Sequence, residues 1–165
     1  MKNLVFFLAL LCSSSLVAQF SYNENGSGIE TPYTTASGAA AFAMGNGATA
    51  SSNYSTAMGN GTTASGGAST AMGDYTTASG YASTASGQGT TASGNYSTAL
   101  GINTTATKQG SFAVGADTVA DGLESSALGR GSIASGNYST AMGYNTQASG
   151  YTSTAMGLQT TAIGD

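Results

Sequence analysis

Residues 55–80 read STAMGNGTTASGGASTAMGDYTTASG, and this stretch decides the fold. Within it alanine returns at every seventh position, and the same spacing holds from Ala36 to Ala162. Glycine follows two residues after each of these alanines, except at Ser52 and Lys108. A strict short period of this kind predicts a repeat architecture in which each unit packs on its neighbours.

The residue between each alanine and its glycine shows that the full repeat is 14 residues long. It is apolar in one set of units, as at Met58 and Met72, and polar in the other, as at Ser65 and Ser79. A disordered low-complexity tract has no reason to keep this phase. A heptad coiled coil is also unsuitable, because every unit contains glycine and is rich in threonine and serine.

Each half-repeat reads instead as a five-residue strand, Ser/Thr-Thr-Ala-x-Gly, followed by a two-residue turn such as Asn60-Gly61 or Asn95-Tyr96. Two strands and two turns then make one coil, and successive coils stack as parallel strands about 4.8 Å apart. The sequence therefore predicts an all-β fold, a parallel β-roll (solenoid) of about nine 14-residue coils.

The alternation of side chains along a strand decides which residues lie inside this roll. Only small side chains fit between the two sheets of so narrow a coil, so we place the alanine column inside. The predicted roll interior includes Ala57, Ala64, Ala71, Ala78, Ala99 and Ala141. The opposite choice would bury the Thr-x-Ser pairs of the polar units.

One outer face then carries a continuous run of apolar residues, which we call the apolar stripe. A stripe of this length on a soluble protein marks an interface. The predicted interface residues are Phe42, Met44, Met58, Met72, Leu100, Phe112, Val114, Leu128, Met142 and Met156. An alanine-cored roll is a poor core by itself, so we expect self-association through the stripe to stabilise it.

The composition excludes several classes of function. The 165 residues contain no His, one Cys, 3 Lys or Arg and 7 Asp or Glu, for a formal net charge of −4. Without His and with a single Cys, the chain cannot form a Cys/His zinc site or a Ser-His or Cys-His catalytic pair. The chain also lacks the cluster of Lys and Arg side chains that nucleic-acid binding needs. The acidic residues lack the spacing of calcium loops and the paired setting of acid–base catalysis. We expect no catalytic, cofactor or metal site.

The N-terminal residues read as a targeting segment. Lys2 is followed by the apolar run 4–11 and by small residues up to Ala18. This pattern predicts a secretory signal peptide over residues 1–18. Residues 19–33 lie outside the repeat and are expected to form a cap or linker. The repeat region then occupies residues 34–165.

Several short motifs repeat the pattern Ser-x-Ala-φ-Gly, in which φ is apolar. They are YSTAMG at 54–59, STAMG at 69–73, STALG at 97–101, SFAVG at 111–115 and SSALG at 125–129. Together with the Ala-Ser-Gly units between them, they resemble the head domain of YadA-like trimeric autotransporter adhesins. The resemblance covers about residues 34–164.

The resemblance implies a left-handed roll, three rolls packed around one axis, and no enzymatic activity. It further implies a secreted or cell-surface head that attaches, as a stiff multivalent homotrimer, to extracellular matrix protein, glycan or another cell surface. Family adhesins are held in the outer membrane by a stalk and an anchor. Neither pattern follows here, and because the sequence ends at Asp165 within a turn, it reads as truncated.

Two alternatives to adhesion remain open at this point. One is a structural spacer in a surface or phage-like fibre. The other is ice binding, for which the regular Thr-x-Ser ladder of the polar units would order water.

Aromatic residues in the turns form the candidate ligand-facing surface. They are Tyr75, Tyr81, Tyr96, Tyr138, Tyr144 and Tyr151. Exposed aromatics can anchor a protein or glycan ligand, but each ring could equally cover the corner of a neighbouring coil. Among the charged residues, Lys108 lies one coil from Asp121 and is expected to pair with it across the coils.

Overall fold

The computed structural model describes residues 21–22, 29–30 and 33–164. In this part of the chain all the regular structure is β-strand, and the strands stack into a parallel solenoid of about nine 14-residue coils. The predicted all-β roll is thereby confirmed. No described helix has the length and hydropathy needed to cross a bilayer. The predicted signal peptide, residues 1–18, lies outside the described residues.

The strands form two sheets. The first, which we call the stripe sheet, has 11 strands in the order β1-β2-β4-β6-β8-β10-β12-β14-β16-β18-β20. These are β1 (Ser21–Tyr22), β2 (Ile29–Glu30), β4 (Phe42–Met44), β6 (Thr56–Asn60), β8 (Thr70–Asp74), β10 (Thr84–Gln88), β12 (Thr98–Ile102), β14 (Phe112–Ala116), β16 (Ser126–Arg130), β18 (Thr140–Tyr144) and β20 (Thr154–Leu158).

The second sheet, which we call the threonine sheet, has 10 shorter strands. These are β3 (Thr35–Ala36), β5 (Thr49–Ala50), β7 (Thr63–Ala64), β9 (Thr77–Ala78), β11 (Thr91–Ala92), β13 (Thr105–Ala106), β15 (Val119–Ala120), β17 (Ile133–Ala134), β19 (Gln147–Ala148) and β21 (Thr161–Ala162).

The register follows the 14-residue repeat. In the coils from β3 onward, each strand pairs in parallel with its equivalent in the next coil, so Ala57 lies opposite Ala71 and Met58 opposite Met72. On the threonine sheet Thr63 lies opposite Thr77 in the same way. Equivalent residues therefore form straight columns along the roll, as the repeat predicts.

The predicted strand limits are wrong in detail. The strands of the apolar units are five residues long from β6 onward, but they begin at the residue before the Ala and run one residue beyond the Gly. Those of the polar units contain only two residues. The reason is the turn that follows: the amides of Ser65 and Gly66 both donate to the carbonyl of Ala78, at 2.9 and 3.2 Å, and the chain then leaves the sheet.

The coil has two corners, one at each side of the sheets. The serine corner is a four-residue turn in which the amide of the fourth residue donates to the carbonyl of the first, as from Ser69 to Gly66 at 3.1 Å. Its nine copies are residues 38–41, 52–55, 66–69, 80–83, 94–97, 108–111, 122–125, 136–139 and 150–153. The threonine corner is the connection from each stripe-sheet strand to the next strand of the threonine sheet.

One residue at each corner has a left-handed backbone, so a positive φ returns every seven residues from Tyr33 to Gln159. Its amide donates to a carbonyl of the preceding coil, as from Tyr75 to Asn60 and from Tyr96 to Tyr81, both at 2.8 Å. These bonds continue the ladder of hydrogen bonds around the corner. The expected turn at Asn95-Tyr96 is confirmed, whereas in the expected turn Asn60-Gly61 the asparagine is the last residue of β6 and the chain leaves the strand at Gly61.

The interior of the roll contains only small side chains. The alanines of both sheets are buried, and those from Ala43 to Ala148 in the repeat column have no exposed surface. A serine column from Ser55 and a threonine column from Thr62 are buried beside them. The alanine face therefore carries hydroxyls into the interior as well, because the Ser or Thr two residues before each alanine shares its face.

The segment before the repeat adds strands to one sheet. β1 and β2 pair antiparallel, with Ser21 opposite Glu30, and β2 pairs parallel to β4 through Ile29 and Phe42. The stripe sheet is thus extended beyond the first coil by part of residues 19–33.

Candidate functional site

The apolar stripe forms one column of the stripe sheet. Parallel pairing places Met44, Met58 and Met72 on successive strands, and the column continues through Leu100, Val114, Leu128, Met142 and Met156. Met44, Phe112, Met142 and Met156 are exposed, and Phe42, Met58, Met72, Leu100, Val114 and Leu128 are half-buried. All ten predicted interface residues are therefore at the surface of a single sheet.

Two features of this sheet bear on the stripe. Ser86 lies between Met72 and Leu100 in the column and interrupts it with a hydroxyl. Sequence reasoning missed a second exposed apolar group: Ile102 and Leu158 lie two residues beyond Leu100 and Met156 on the same strands, with 50% and 67% of their surface exposed. The column of strand-end residues carries this signal in the sequence: it is polar up to Gln88, and the residues after it are Ile102, Ala116, Arg130, Tyr144 and Leu158, of which Arg130 alone is charged.

The outer residues of the threonine sheet are different in character. A ladder of six threonines runs from Thr35 to Thr105, one per strand. It gives way to Val119 and then to Ile133, which is 38% exposed. The threonines of the Thr-x-Ser ladder considered for ice binding therefore span six strands. In the next two strands Val119 and Ile133 occupy the position of the threonine.

The candidate ligand-facing tyrosines do not form one surface. Tyr81, Tyr96, Tyr138 and Tyr151 lie at the serine corner, whereas Tyr75 and Tyr144 lie at the threonine corner. Tyr54 also belongs to the serine corner, with 70% of its surface exposed. The sequence contains the signal for this division, because residues share a corner only when their positions in the 14-residue repeat agree.

The structure brings two pairs of these tyrosines into ring contact. The ring centroids of Tyr81 and Tyr96 are 5.7 Å apart with an interplanar angle of 81°, and those of Tyr138 and Tyr151 are 5.5 Å apart at 77°. Such edge-to-face pairs are a preferred aromatic geometry. All four rings nevertheless remain exposed.

Other rings contact the preceding coil. The ring of Tyr75 lies directly over Gly61, and that of Tyr81 lies over Gly67, where a Cβ atom would come within 3.2 Å of the ring. At the threonine corner, the guanidinium of Arg130 lies 6.0 Å from the ring centroid of Tyr144, within cation–π range. Tyrosines at both corners therefore cover neighbouring coils, as the alternative reading of these residues predicted.

Asparagine side chains support the serine corner. The Oδ1 atoms of Asn53, Asn95 and Asn137 accept hydrogen bonds of 2.9–3.0 Å from the amides of Ala39, Tyr81 and Leu123 in the preceding coil. These amides belong to the turns and have no place in the strand ladder. Each of the three asparagines thus stabilises the serine-corner turn of the preceding coil.

The expected ion pair between Lys108 and Asp121 is wrong. The Oδ1 atom of Asp121 accepts instead a hydrogen bond from the Thr107 hydroxyl of the preceding coil. Residues 33–164 contain no group of three or more His, Cys, Asp or Glu side chains arranged to hold a metal ion. The described surfaces are therefore suited to contact with other molecules through apolar, aromatic and hydroxyl groups.

Comparison with known families gives the chain its relatives. The family model described as the YadA head domain repeat matches residues 36–62, 64–90, 78–104, 92–118, 120–146 and 148–165. No curated protein matches the chain. The matches cover most of the sequence and follow the 14-residue coils, and the matched family is not an enzymatic one. The chain belongs to the family of YadA head domain repeats, the heads of adhesin-type trimeric autotransporters.

Proposed function

We propose that this protein is a secreted, surface-displayed attachment head that works as a homotrimer held together by the apolar stripe. The observation that carries the proposal is the column of Met, Leu and Val on the stripe sheet, all exposed or half-buried. An apolar column of this length, interrupted once by Ser86, is typical of an interface.

The weak interior of the roll supports the same proposal. Each coil buries two alanines and two hydroxyl-bearing side chains, which contribute little hydrophobic stabilisation. Taking a fully exposed Met, Leu or Val to full burial contributes on the order of 1.5–3 kcal/mol, and each half-buried residue of the stripe would gain part of that amount. Association through the stripe therefore supplies the apolar burial that a single roll lacks.

Attachment would depend on the number of contacts that the head makes at once. Three identical rolls present each surface three times, and the coils repeat it along the axis. Linked weak contacts of this kind can raise the apparent affinity by about 10²–10⁴ over a single contact. The partners we propose are extracellular matrix protein, glycan or another cell surface.

The family and the N-terminal sequence support a location outside the cell. We propose that residues 1–18 direct secretion, that residues 19–33 cap the first coil, and that the head is displayed outside the bacterial cell. Its attachment to the outer membrane would be through a stalk and anchor of the kind that family adhesins have.

Sedimentation equilibrium of the secreted chain tests the assembly. We expect the mass of a trimer, and we expect the triple variant Met58→Asp, Met72→Asp, Met142→Asp to sediment as a monomer because it places charges in the stripe. The control is Ser51→Asp, Ser65→Asp, Ser135→Asp, which adds the same charges to the threonine sheet in the same coils. A Met variant that keeps the trimer mass would show that the stripe is not the interface.

Attachment is measured on surfaces coated with matrix proteins, with glycans or with whole cells. We expect the trimer to be retained at least about tenfold more strongly than the monomeric Met variant on at least one surface, since it presents several copies of each contact. A stable trimer that attaches to no surface would favour the spacer function instead.

A further inference from the structure

The tyrosines of the serine corner follow a higher-order repeat. An Asn-Tyr pair occupies the turn at residues 53–54, 95–96 and 137–138, once in every 42 residues or three coils. At the strand spacing of a β-sheet this places one such turn every 14 Å or so along the roll. A second tyrosine, Tyr81 or Tyr151, lies in the adjacent coil and makes the ring contact with Tyr96 or Tyr138.

The backbone at these tyrosines is strained. Tyr54, Tyr96 and Tyr138 have φ of 59–60°, in the left-handed region that disfavours residues with a Cβ. Gly110 occupies the same position of the turn in another coil with φ 65° and no such cost. Ala68, Ala82 and Glu124 have a similar positive φ at this position in other coils, so the turn imposes the left-handed conformation on whichever residue stands there.

The exposed rings are not explained by packing alone. Tyr54, Tyr81, Tyr96 and Tyr151 have 53–70% of their surface exposed, and Tyr138 has 43%. Tyr81 covers Gly67, but the equivalent turns at 52–55 and 108–111 have Asn and Gln in its place. The two edge-to-face pairs leave aromatic faces nearly at right angles to one another and open to solvent.

The chemistry around the rings defines the ligand. In the nine described serine-corner turns the charged residues are Lys108 and Glu124, one of each sign, and both lie between the two tyrosine pairs. The remaining residues are Ser, Asn, Gly, Ala and similar uncharged groups. A polyanion would find no cluster of cations here, and a protein hot spot would need a desolvated pocket that a narrow ridge does not provide.

We infer that the serine corner binds a neutral polysaccharide, whose sugar rings stack on the Tyr81–Tyr96 and Tyr138–Tyr151 pairs. The C–H groups on the flat side of a pyranose suit the electron-rich face of an aromatic ring. Tyr hydroxyls and the neighbouring Asn amides supply hydrogen bonds to the sugar hydroxyls. A polymer can contact both pairs and Tyr54 along the roll. The inference rests on the proposed attachment function and specifies its ligand class.

Affinity electrophoresis tests this inference with the secreted chain. Native gels contain laminarin, xyloglucan, galactomannan or dextran as neutral probes and alginate as the acidic comparison. We expect at least one neutral polysaccharide to retard the protein. The quadruple variant Tyr81→Asn, Tyr96→Ala, Tyr138→Ala, Tyr151→Asn is expected to weaken this binding by about tenfold or more, because the stacking platforms are lost.

The substitutions are chosen to keep the fold. Asn95 and Ala82 already occupy the same two positions of the turn in other coils. The matched control is Tyr75→Asn, Tyr144→Asn at the opposite corner, where Asn103 and Asn60 occupy the equivalent positions. We expect the control to bind as the parent does. Sedimentation equilibrium of both variants establishes that their assembly is unchanged.

Three results would overturn the inference: no retardation by any neutral polysaccharide, retardation by alginate alone, or equal retardation of the quadruple variant and the parent. A trimer that attaches to protein-coated surfaces but is not retarded would leave the attachment function standing and remove the polysaccharide. A monomeric chain whose retardation is lost in the quadruple variant would support the serine-corner site and contradict the trimer.

Discussion

At the scale of single residues, glycine determines how closely the coils stack. A Cβ atom built on Gly87 would lie 1.9 Å from the carbonyl oxygen of Gly101 in the next coil, and the same relation holds along both glycine columns. Ser52 and Lys108 replace glycine in the column of the serine corner. At Ser52 the amide donates to the Ser55 hydroxyl at 3.3 Å, whereas Gly66 donates to the next coil.

Two glycines of one coil test this packing. Gly87→Ala is expected to lower the free energy of unfolding by more than about 3 kcal/mol, because backbone atoms of the next coil cannot move away and the φ of 124° also disfavours alanine. Gly89→Ala is expected to cost only about 1 kcal/mol, since its φ of 62° is strained for alanine but its new Cβ meets the end of the Asn103 side chain. Urea unfolding of the two variants measures the difference. Equal losses would contradict the close stacking of Gly87 on Gly101.

At the scale of the column, the interior hydroxyls are poorly paired. The Oγ1 atoms of Thr62, Thr76, Thr90, Thr104 and Thr118 are buried, and none has a hydrogen-bond partner within the described residues. Further along the same column Thr146 donates to Ser132 at 2.9 Å, and Ser132 donates to the Gly143 carbonyl at 3.1 Å. One column therefore contains both unpaired and paired hydroxyls in nearly identical surroundings.

This contrast predicts opposite effects for one substitution. Thr90→Val removes a buried hydroxyl without a partner and is expected to stabilise the roll by about 1–2 kcal/mol. Thr146→Val removes a hydrogen bond and leaves Ser132 without its donor, so it is expected to destabilise the roll by about 1 kcal/mol. Thermal and urea unfolding of both proteins provide the measurement. Destabilisation by Thr90→Val would show that this hydroxyl is paired in solution.

The columns also show how far the sequence could predict the structure. The 7- and 14-residue periods predicted the two sheets, their parallel register and the side chains that face inward, because a column of equivalent residues repeats one environment in every coil. The two-residue strands of the polar units were not predicted, since they depend on where Ser65 and Gly66 direct their amides. The division of the tyrosines between two corners was missed, although Tyr75 and Tyr81 differ in their position within the repeat. Pairing of the rings depends on rotamers, which the period does not specify.

At the scale of the whole molecule, each described coil pairs within the roll with the coils directly before and after it. Contacts join a coil to the one before and the one after it, and the register is the same at each step from Thr56 to Leu158. The stability of such a protein is approximately a sum over coils and their interfaces. The number of coils sets the length of the rod without altering the pattern on its faces.

Two deletions test whether the faces of the roll are preserved by the loss of a full 14-residue repeat but not by the loss of a 7-residue half. Deleting residues 64–77 removes one coil and joins Thr63 to Ala78, so we expect the same oligomer with a slightly lower unfolding midpoint. Deleting 64–70 joins Thr63 to Ala71 and transfers every later apolar residue to the opposite sheet, so we expect the oligomer to be lost. Sedimentation equilibrium of both chains gives the answer. Equal masses per assembly would mean that the stripe need not be continuous.

Because equivalent residues are aligned in straight columns, the position of a residue within the 14-residue repeat decides which face of the roll it occupies. Insertions or losses of whole coils preserve the meaning of every later residue, whereas a shift by half a coil keeps each alanine inside and yet exchanges the two faces beyond the break. Gain or loss of 14 codons in such a gene therefore changes the length of the roll and keeps the pattern on its faces. The alanines fit the interior of either sheet, whereas the outer side chains suit only one of the two sheets.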